Sequence, residues 1–285
     1  MQTNRRNFLR LSGLGMAAAA LPGISQAAPK QAKKDKAKKD KAMPVRLGLA
    51  SYTLRKLNLD DALAVCQRLD IKHISLKDFH LKLTASDAEI ADVVKKCKDA
   101  GVELGSGGVI YMKSEAEVDA AFEYARKAGM NMIIGVPQHE MLPYVEKKVK
   151  EYNIRLAIHN HGPGDLVYPS CESAYVLIKN MDARMGLCLD IGHTQRIQRD
   201  PSADLNDYFE RIFEIHMKDV TSSDSNGKAI EVGRGVIDIP AFLKTVIDRK
   251  FTGLVSFEYE KEDKDPVPGL AESMGYVKGV LKVIN

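Results

Sequence analysis

Ionisable side chains crowd into four short stretches of the C-terminal half. His159 and His161 stand in "LAIHNHGPGD", Asp190 and His193 in "GLCLDIGHT", Glu214, His216 and Lys218 in "IFEIHMKD", and Glu258 and Glu260 in "LVSFEYE". Imidazoles and carboxylates without a thiolate suit a divalent ion such as Mn, Co, Zn, Fe or Mg rather than a structural zinc. A metal on a carbonyl oxygen acidifies the neighbouring C–H, and an imidazole then removes or returns the proton. A lysine beside them stabilises developing negative charge. Each group alone has a bland reading: a hydrogen-bonded core histidine, a helix cap, half of an ion pair. Four neighbouring segments together do not, because without a cation their charges would sit unpaired in a poorly solvated pocket.

That chemistry requires the segments to meet, and the rest of the chain says how. From Met43 onward, short runs rich in Val, Ile and Leu alternate with amphipathic stretches. The runs begin near residues 45, 72, 102, 131, 154, 185, 212 and 254; the helical stretches between them include 60–69, 86–100, 115–128, 141–152, 171–180 and 240–249. Ser86/Glu89 and Ser114/Glu117 have capping-box spacing, and Gly101 and Gly129 fall where helices should end. Eight such units over residues 43–285 predict an α/β fold, a (β/α)8 TIM barrel in a single domain. A doubly wound sheet is the rival, but no Gly-rich phosphate turn follows the first strand. Alternation within strands then turns Ala157, His159 and His161 to one face, with Gly186, Cys188 and Asp190, with Glu214, His216 and Lys218, and with Ser256, Glu258 and Glu260.

The first 27 residues carry three arginines, no acid and an apolar stretch too short to span a bilayer. Arg5 and Arg6, followed by Phe8 and Leu9, match an export signal of the twin-arginine type, so a periplasmic protein without stable membrane insertion after cleavage is expected. Residues 28–42 read as a lysine-rich disordered linker. Taking the three leader arginines and the linker's net +5 from the chain's +4 leaves the body at −4, which argues against nucleic acid as a partner. Cys66, Cys97 and Cys188 lie in apolar surroundings and read as core residues.

From about residue 45 onward the chain resembles the xylose-isomerase-like barrel superfamily of sugar phosphate isomerases and epimerases. The resemblance rests on "LAIHNHG", "GLCLDIGHT", "RIFEIHMKDV", "GRGVIDIP" and "GLVSFEYE", in that order. It implies one divalent metal ion held by His159, Asp190, His216 and Glu258. His159 stands where many members have Glu, and Asp165 is the alternative fourth ligand. His161 matches an acid/base histidine of related dehydratases. His193 and Lys218 are expected to assist catalysis or contact substrate; the bland readings are a turn-closing bond for His193 and a pair with Asp219 for Lys218. Tyr52, Lys77, His80 and Arg234 are expected to bind a polyhydroxylated ligand, although Ser75 replaces an acid common in the second-strand motif.

The missing glutamate at 159 argues against two-base epimerisation. The expected activity is therefore that of a lyase, hydrating or dehydrating a keto-sugar such as a 3-keto-glucose derivative through a metal-stabilised enolate. A sugar isomerase or epimerase is the alternative. The same barrel also resembles apurinic-site endonucleases, which need more metal ligands and a basic DNA track, and a non-catalytic sugar-binding barrel would not need metal-ordering residues on four strands. The partner expected is a small-molecule sugar, and a homo-oligomer is compatible with the sequence.

Overall fold

The computed structural model describes residues 44–284. The leader and linker expected at 1–27 and 28–42 lie outside the described residues. Eight parallel strands close into a barrel: β1 (Arg46–Ala50), β2 (His73–Leu76), β3 (Glu103–Met112), β4 (Met132–Pro137), β5 (Arg155–His159), β6 (Met185–Asp190), β7 (Ile212–Met217) and, after a small antiparallel hairpin of β8 (Asp219–Val220) and β9 (Ala229–Ile230), β10 (Leu254–Phe257). Helices α1 (Leu59–Leu69), α2 (Asp87–Asp99), α3 (Glu115–Lys127), α4 (Leu142–Tyr152), α5 (Cys171–Ile178), α6 (Ile191–Arg196), α7 (Pro201–Asp207), α8 (Ile239–Asp248) and α9 (Val267–Ile284) fill the connections and the C-terminus. Among the described residues no helix is long and apolar enough to cross a membrane.

Local chemistry sets the helix boundaries. Ser86 and Glu89 form the expected reciprocal capping box on α2. On α3 only half of one forms: Ser114 accepts from the Glu117 N–H, while the Glu117 carboxylate takes the Lys113 N–H instead. Gly101 (φ 71°) and Gly129 (φ 68°) adopt the left-handed conformation just past α2 and α3, which a side chain would resist.

The strand alternation divides the interior into two layers. Leu156, Ile158, Leu187, Leu189, Ile215, Met217, Val255 and Phe257 pack outward into the main apolar core beneath the helices. Met132, Ile134, Ala157 and Cys188 form a separate small cluster inside the barrel. Beside it, level with Cys188, buried Glu214 accepts from Ser256 Oγ (2.6 Å) and Ser106 Oγ (3.4 Å). All four cysteines are buried and unpaired. Burial pushes the Cys66 thiol up to about 12 and those of Cys97 and Cys188 to about 11, so these three are unreactive packing at neutral pH.

Parallel register steps the polar strand ends round the barrel, with Asp190 two residues beyond the partner of His159 and Glu258 two beyond the partner of His216. His159 pairs with Cys188 across β5–β6, Asp190 with His216 across β6–β7, and His216 with Ser256 across β7–β10. A register shift between Leu187 and Cys188 brings Asp190 level with His216 rather than one residue away.

Candidate metal centre

His159, Asp190, His216 and Glu258 each place one donor atom within 4.8 Å of the other three, and all four are buried. His159 Nε2 is 3.1 Å from His216 Nδ1, 3.6 Å from Asp190 Oδ2 and 3.9 Å from Glu258 Oε2. His216 Nδ1 is 3.1 Å from the same Glu258 oxygen. Two ring nitrogens at that spacing either share a proton or direct two lone pairs at one cation.

Side chains behind the cluster hold it. Asn160, between the two histidines, accepts from the Asp190 N–H (2.9 Å) and donates to the Asp190 carbonyl (3.3 Å) and Thr194 Oγ1 (3.2 Å). It thereby staples the end of β5 to the end of β6. Asp190 uses Oδ1 to cap α6 through the His193 N–H (2.8 Å), leaving the buried Oδ2 to face His159 Nε2 and the Lys218 ammonium. The ring nitrogens on the far sides, His159 Nδ1 and His216 Nε2, are buried without hydrogen-bond partners. The atoms that converge, His159 Nε2, His216 Nδ1, Asp190 Oδ2 and Glu258 Oε2, are two imidazole nitrogens and two carboxylate oxygens, a donor set that fits a divalent ion.

Charge in the cluster is balanced by Lys218, whose Nζ lies 2.9 Å from Asp190 Oδ2, 3.1 Å from Glu258 Oε2 and 3.1 Å from Glu260 Oε1. Burial disfavours an ammonium there, yet these carboxylates hold it well above the usual lysine range. Against the same burial, Lys218 and the nearby imidazoles keep Asp190 and Glu258 well below the usual carboxylate range. Gly192 admits the lysine stem: a Cβ there would stand 2.8 Å from Lys218 Cγ and Cδ.

A cavity of about 330 Å³ opens above the cluster, lined by Tyr52, Lys77, Val109, Tyr111, His159, His161, His193, Glu258 and Glu260. Small-molecule sites begin at roughly this size. The His161 ring centroid is 4.5 Å from that of His159, and its Nε2 is 3.3 Å from the Tyr111 hydroxyl. Burial, helped by His159, pushes His161 down to about 4, so its imidazole is neutral at pH 7. His193 is pushed to about 3, again by burial, and its Nδ1 lies 3.3 Å from Arg196 Nη1. A guanidinium only donates, so that nitrogen accepts and Nε2 carries the proton.

The structure gathers His159, Asp190, His216 and Glu258 in the cluster, Lys218 against it, and His161, His193, Tyr52 and Lys77 on the pocket wall. It does not bring Asp165 to the four. That carboxylate accepts from the Val167 and Tyr168 N–H groups and reaches only His161 Nδ1, at 3.9 Å. His80 and Arg234 do not line the pocket. His80 Nε2 bonds the Leu57 carbonyl (3.1 Å), tying down the loop before α1, and Arg234 pairs through two nitrogens with Glu272 of α9. Lys218 does not pair with Asp219, whose carboxylate accepts from the backbone of Val220, Gly233, Gly235 and Ile237. Tyr111, Asn160 and Arg196 were not singled out by sequence. Glu260 carried a signal, since it shares the parity of Glu258.

A family model described as xylose isomerase-like TIM barrel matches residues 138–280. No curated protein matches the chain in sequence. Among solved structures, the 3-keto-D-glucoside 4-epimerase of E. coli superposes with a TM-score of 0.66 at 11% identity, over 82% of this chain and 99% of its own. The IolI protein, determined with a zinc atom, gives 0.69 at 16%, over 84% and 98%. The probable 3-DHS dehydratase of Bacillus anthracis gives 0.65 at 14%, over 82% and 99%. At these identities the likeness is one of fold.

Proposed function

The chain belongs to the xylose isomerase-like TIM barrel family, and we propose that it is a divalent-metal-dependent lyase that hydrates or dehydrates a keto-sugar, with a 3-keto-glucose derivative or its 2-hydroxy-glycal as the favoured substrate. The observation that carries this reading is the paired imidazoles at the end of β5. His159 turns into the ligand cluster while His161 turns into the pocket. The residue that would supply a carboxylate base on that face is therefore an imidazole committed to the cluster.

His159, Asp190, His216 and Glu258 would hold the metal, which when bound supplies polarisation of a substrate carbonyl. The protein's own groups supply the rest. His161, neutral through burial, accepts a proton from the carbon next to the carbonyl, and the Tyr111 hydroxyl 3.3 Å away is positioned to exchange it. His193 offers an Nε2–H donor, while Tyr52 and Lys77 face sugar hydroxyls across the pocket. The ammonium of Lys218 stabilises charge developing on an oxygen above the cluster. Expulsion of a β-oxygen after proton removal gives dehydration; the reverse adds water.

A keto-glucoside epimerase and a probable dehydratase among the structural neighbours support both a keto-sugar substrate and elimination chemistry, and the zinc in IolI supports a metal. Epimerisation is the second reading, favoured by Glu258 and Glu260, which line the pocket from the side of β10. The leader supports a periplasmic site of action, where oxidised glycosides rather than sugar phosphates would be met. The test is to incubate the metal-loaded protein in D2O with 3-keto-glucosides, their 2-hydroxy-glycals, inososes and free ketoses and identify products by NMR. An elimination or hydration product supports the lyase; an epimer carrying solvent deuterium supports the second reading instead.

A further inference from the structure

The cation that neutralises the cluster in this structure is one the protein carries itself. Lys218 Nζ sits against Asp190 Oδ2 and Glu258 Oε2, the same two oxygens that face His159 Nε2. An ammonium and a divalent ion cannot both occupy that position without strong repulsion. The third carboxylate around Lys218 is different: Glu260 is not one of the four converging donors, and its side chain is 31% exposed against 3% for the lysine.

We infer that Lys218 is a built-in competitor for the metal, and that Glu260 is the positioning residue that retains its ammonium once a divalent ion takes Asp190 and Glu258. This rests on the metal reading above. The stem of Lys218 lies against Gly192, where even a methyl group would collide, so a shift of the ammonium would turn on the last bonds of the side chain. Nζ is shared almost evenly among three oxygens, at 2.9 Å from Asp190 Oδ2 and 3.1 Å from each of Glu258 Oε2 and Glu260 Oε1. The ammonium is thus shared among three carboxylates rather than seated on one partner. Asp219 offers no alternative, because four backbone N–H groups occupy it. Displaced toward Glu260, the ammonium enters the pocket wall, where a substrate oxygen would meet it. Metal loading and placement of the lysine become one event.

The test titrates the chelator-stripped protein with Mn²⁺ or Zn²⁺ alone, reading affinity by calorimetry and stability by melting with and without the ion. Lys218→Met should bind metal on the order of tenfold or more tightly, since a competing charge is gone. It should also melt lower than wild type without metal and gain more from metal. Glu260→Gln should weaken metal binding severalfold in the wild-type background and lose most of that effect in the Lys218→Met background. Equal or weaker metal binding by Lys218→Met overturns the inference, as does an additive double variant, which would mean that Glu260 acts only through its own charge. If Lys218→Met folds only with metal present, its affinity is read by competition against graded chelator. Wild type that takes no metal while Lys218→Met does supports the competition but removes the metal from the proposed function. If neither binds metal, both fall.

Discussion

His159 Nε2 and His216 Nδ1, 57 residues apart in the chain, face each other at 3.1 Å across the mouth of the barrel with two carboxylate oxygens beside them. Without a cation, one of these imidazoles must carry a proton between them. With one, both turn lone pairs toward it.

The first prediction concerns that cluster. His216→Gln and Asp190→Asn should each cut divalent-metal affinity by about 100-fold or more, as loss of a direct donor should exceed the roughly 10–100-fold cost of losing an outer partner. Calorimetric titration checks this. A variant that binds like wild type removes its residue from the ligand set.

His161 should behave differently. His161→Ala should leave metal affinity and melting temperature near wild type while lowering kcat by roughly 10²–10⁴-fold, the usual range for a general acid–base group. A parallel loss of metal would show that the side chain supports the cluster instead of moving protons.

Asn160 carries no reactive group, yet its amide joins β5 to β6 through the Asp190 backbone. Asn160→Ala should destabilise the fold by about 1–3 kcal/mol, because buried polar groups lose their partners. Metal affinity should fall with it as His159 and Asp190 drift apart. Denaturant melts and metal titrations on the same variant test the two effects together; intact affinity in a destabilised protein would uncouple the staple from the site.

A stability prediction comes from outside the site. Burial raises the Glu231 carboxyl, but hydrogen bonds from Lys261 and Tyr259 outweigh it and bring the group down from 4.5 to about 2. A folded-state pKa below the unfolded one stabilises the fold above about pH 4.5, and that stabilisation is lost as pH falls toward 2. Glu231→Gln should therefore be less stable than wild type at pH 7, with the gap closing below pH 4.5. A constant gap would mean that Glu231 contributes packing alone.

Much of the barrel was legible because strand alternation is rigid, whereas the choice of ligands among the inward-facing groups came from the family resemblance. Once eight strands are counted, His159, Asp190, His216 and Glu258 can only turn inward at strand ends, and the structure places them there. What escaped depended on distant partners. Arg234 is taken by Glu272, 38 residues later on α9, and Lys218 finds three carboxylates, one ending β6 and two just past β10, while its neighbour Asp219 binds backbone. Tyr111 was hidden because the glycine-rich "GSGGVIYM" weakens the strand signal, although β3 runs on to Met112.

The most direct test of the proposed lyase is a single absorbance trace. Metal-loaded protein is mixed with a 2-hydroxy-glycal of a 3-keto-glucoside, beside chelator-treated protein and metal-loaded His161→Ala. The account predicts loss of the enone absorbance with metal-loaded wild type and a flat trace in both controls. An unchanged enone in all three, with epimer appearing from the saturated keto-glucoside, would contradict it.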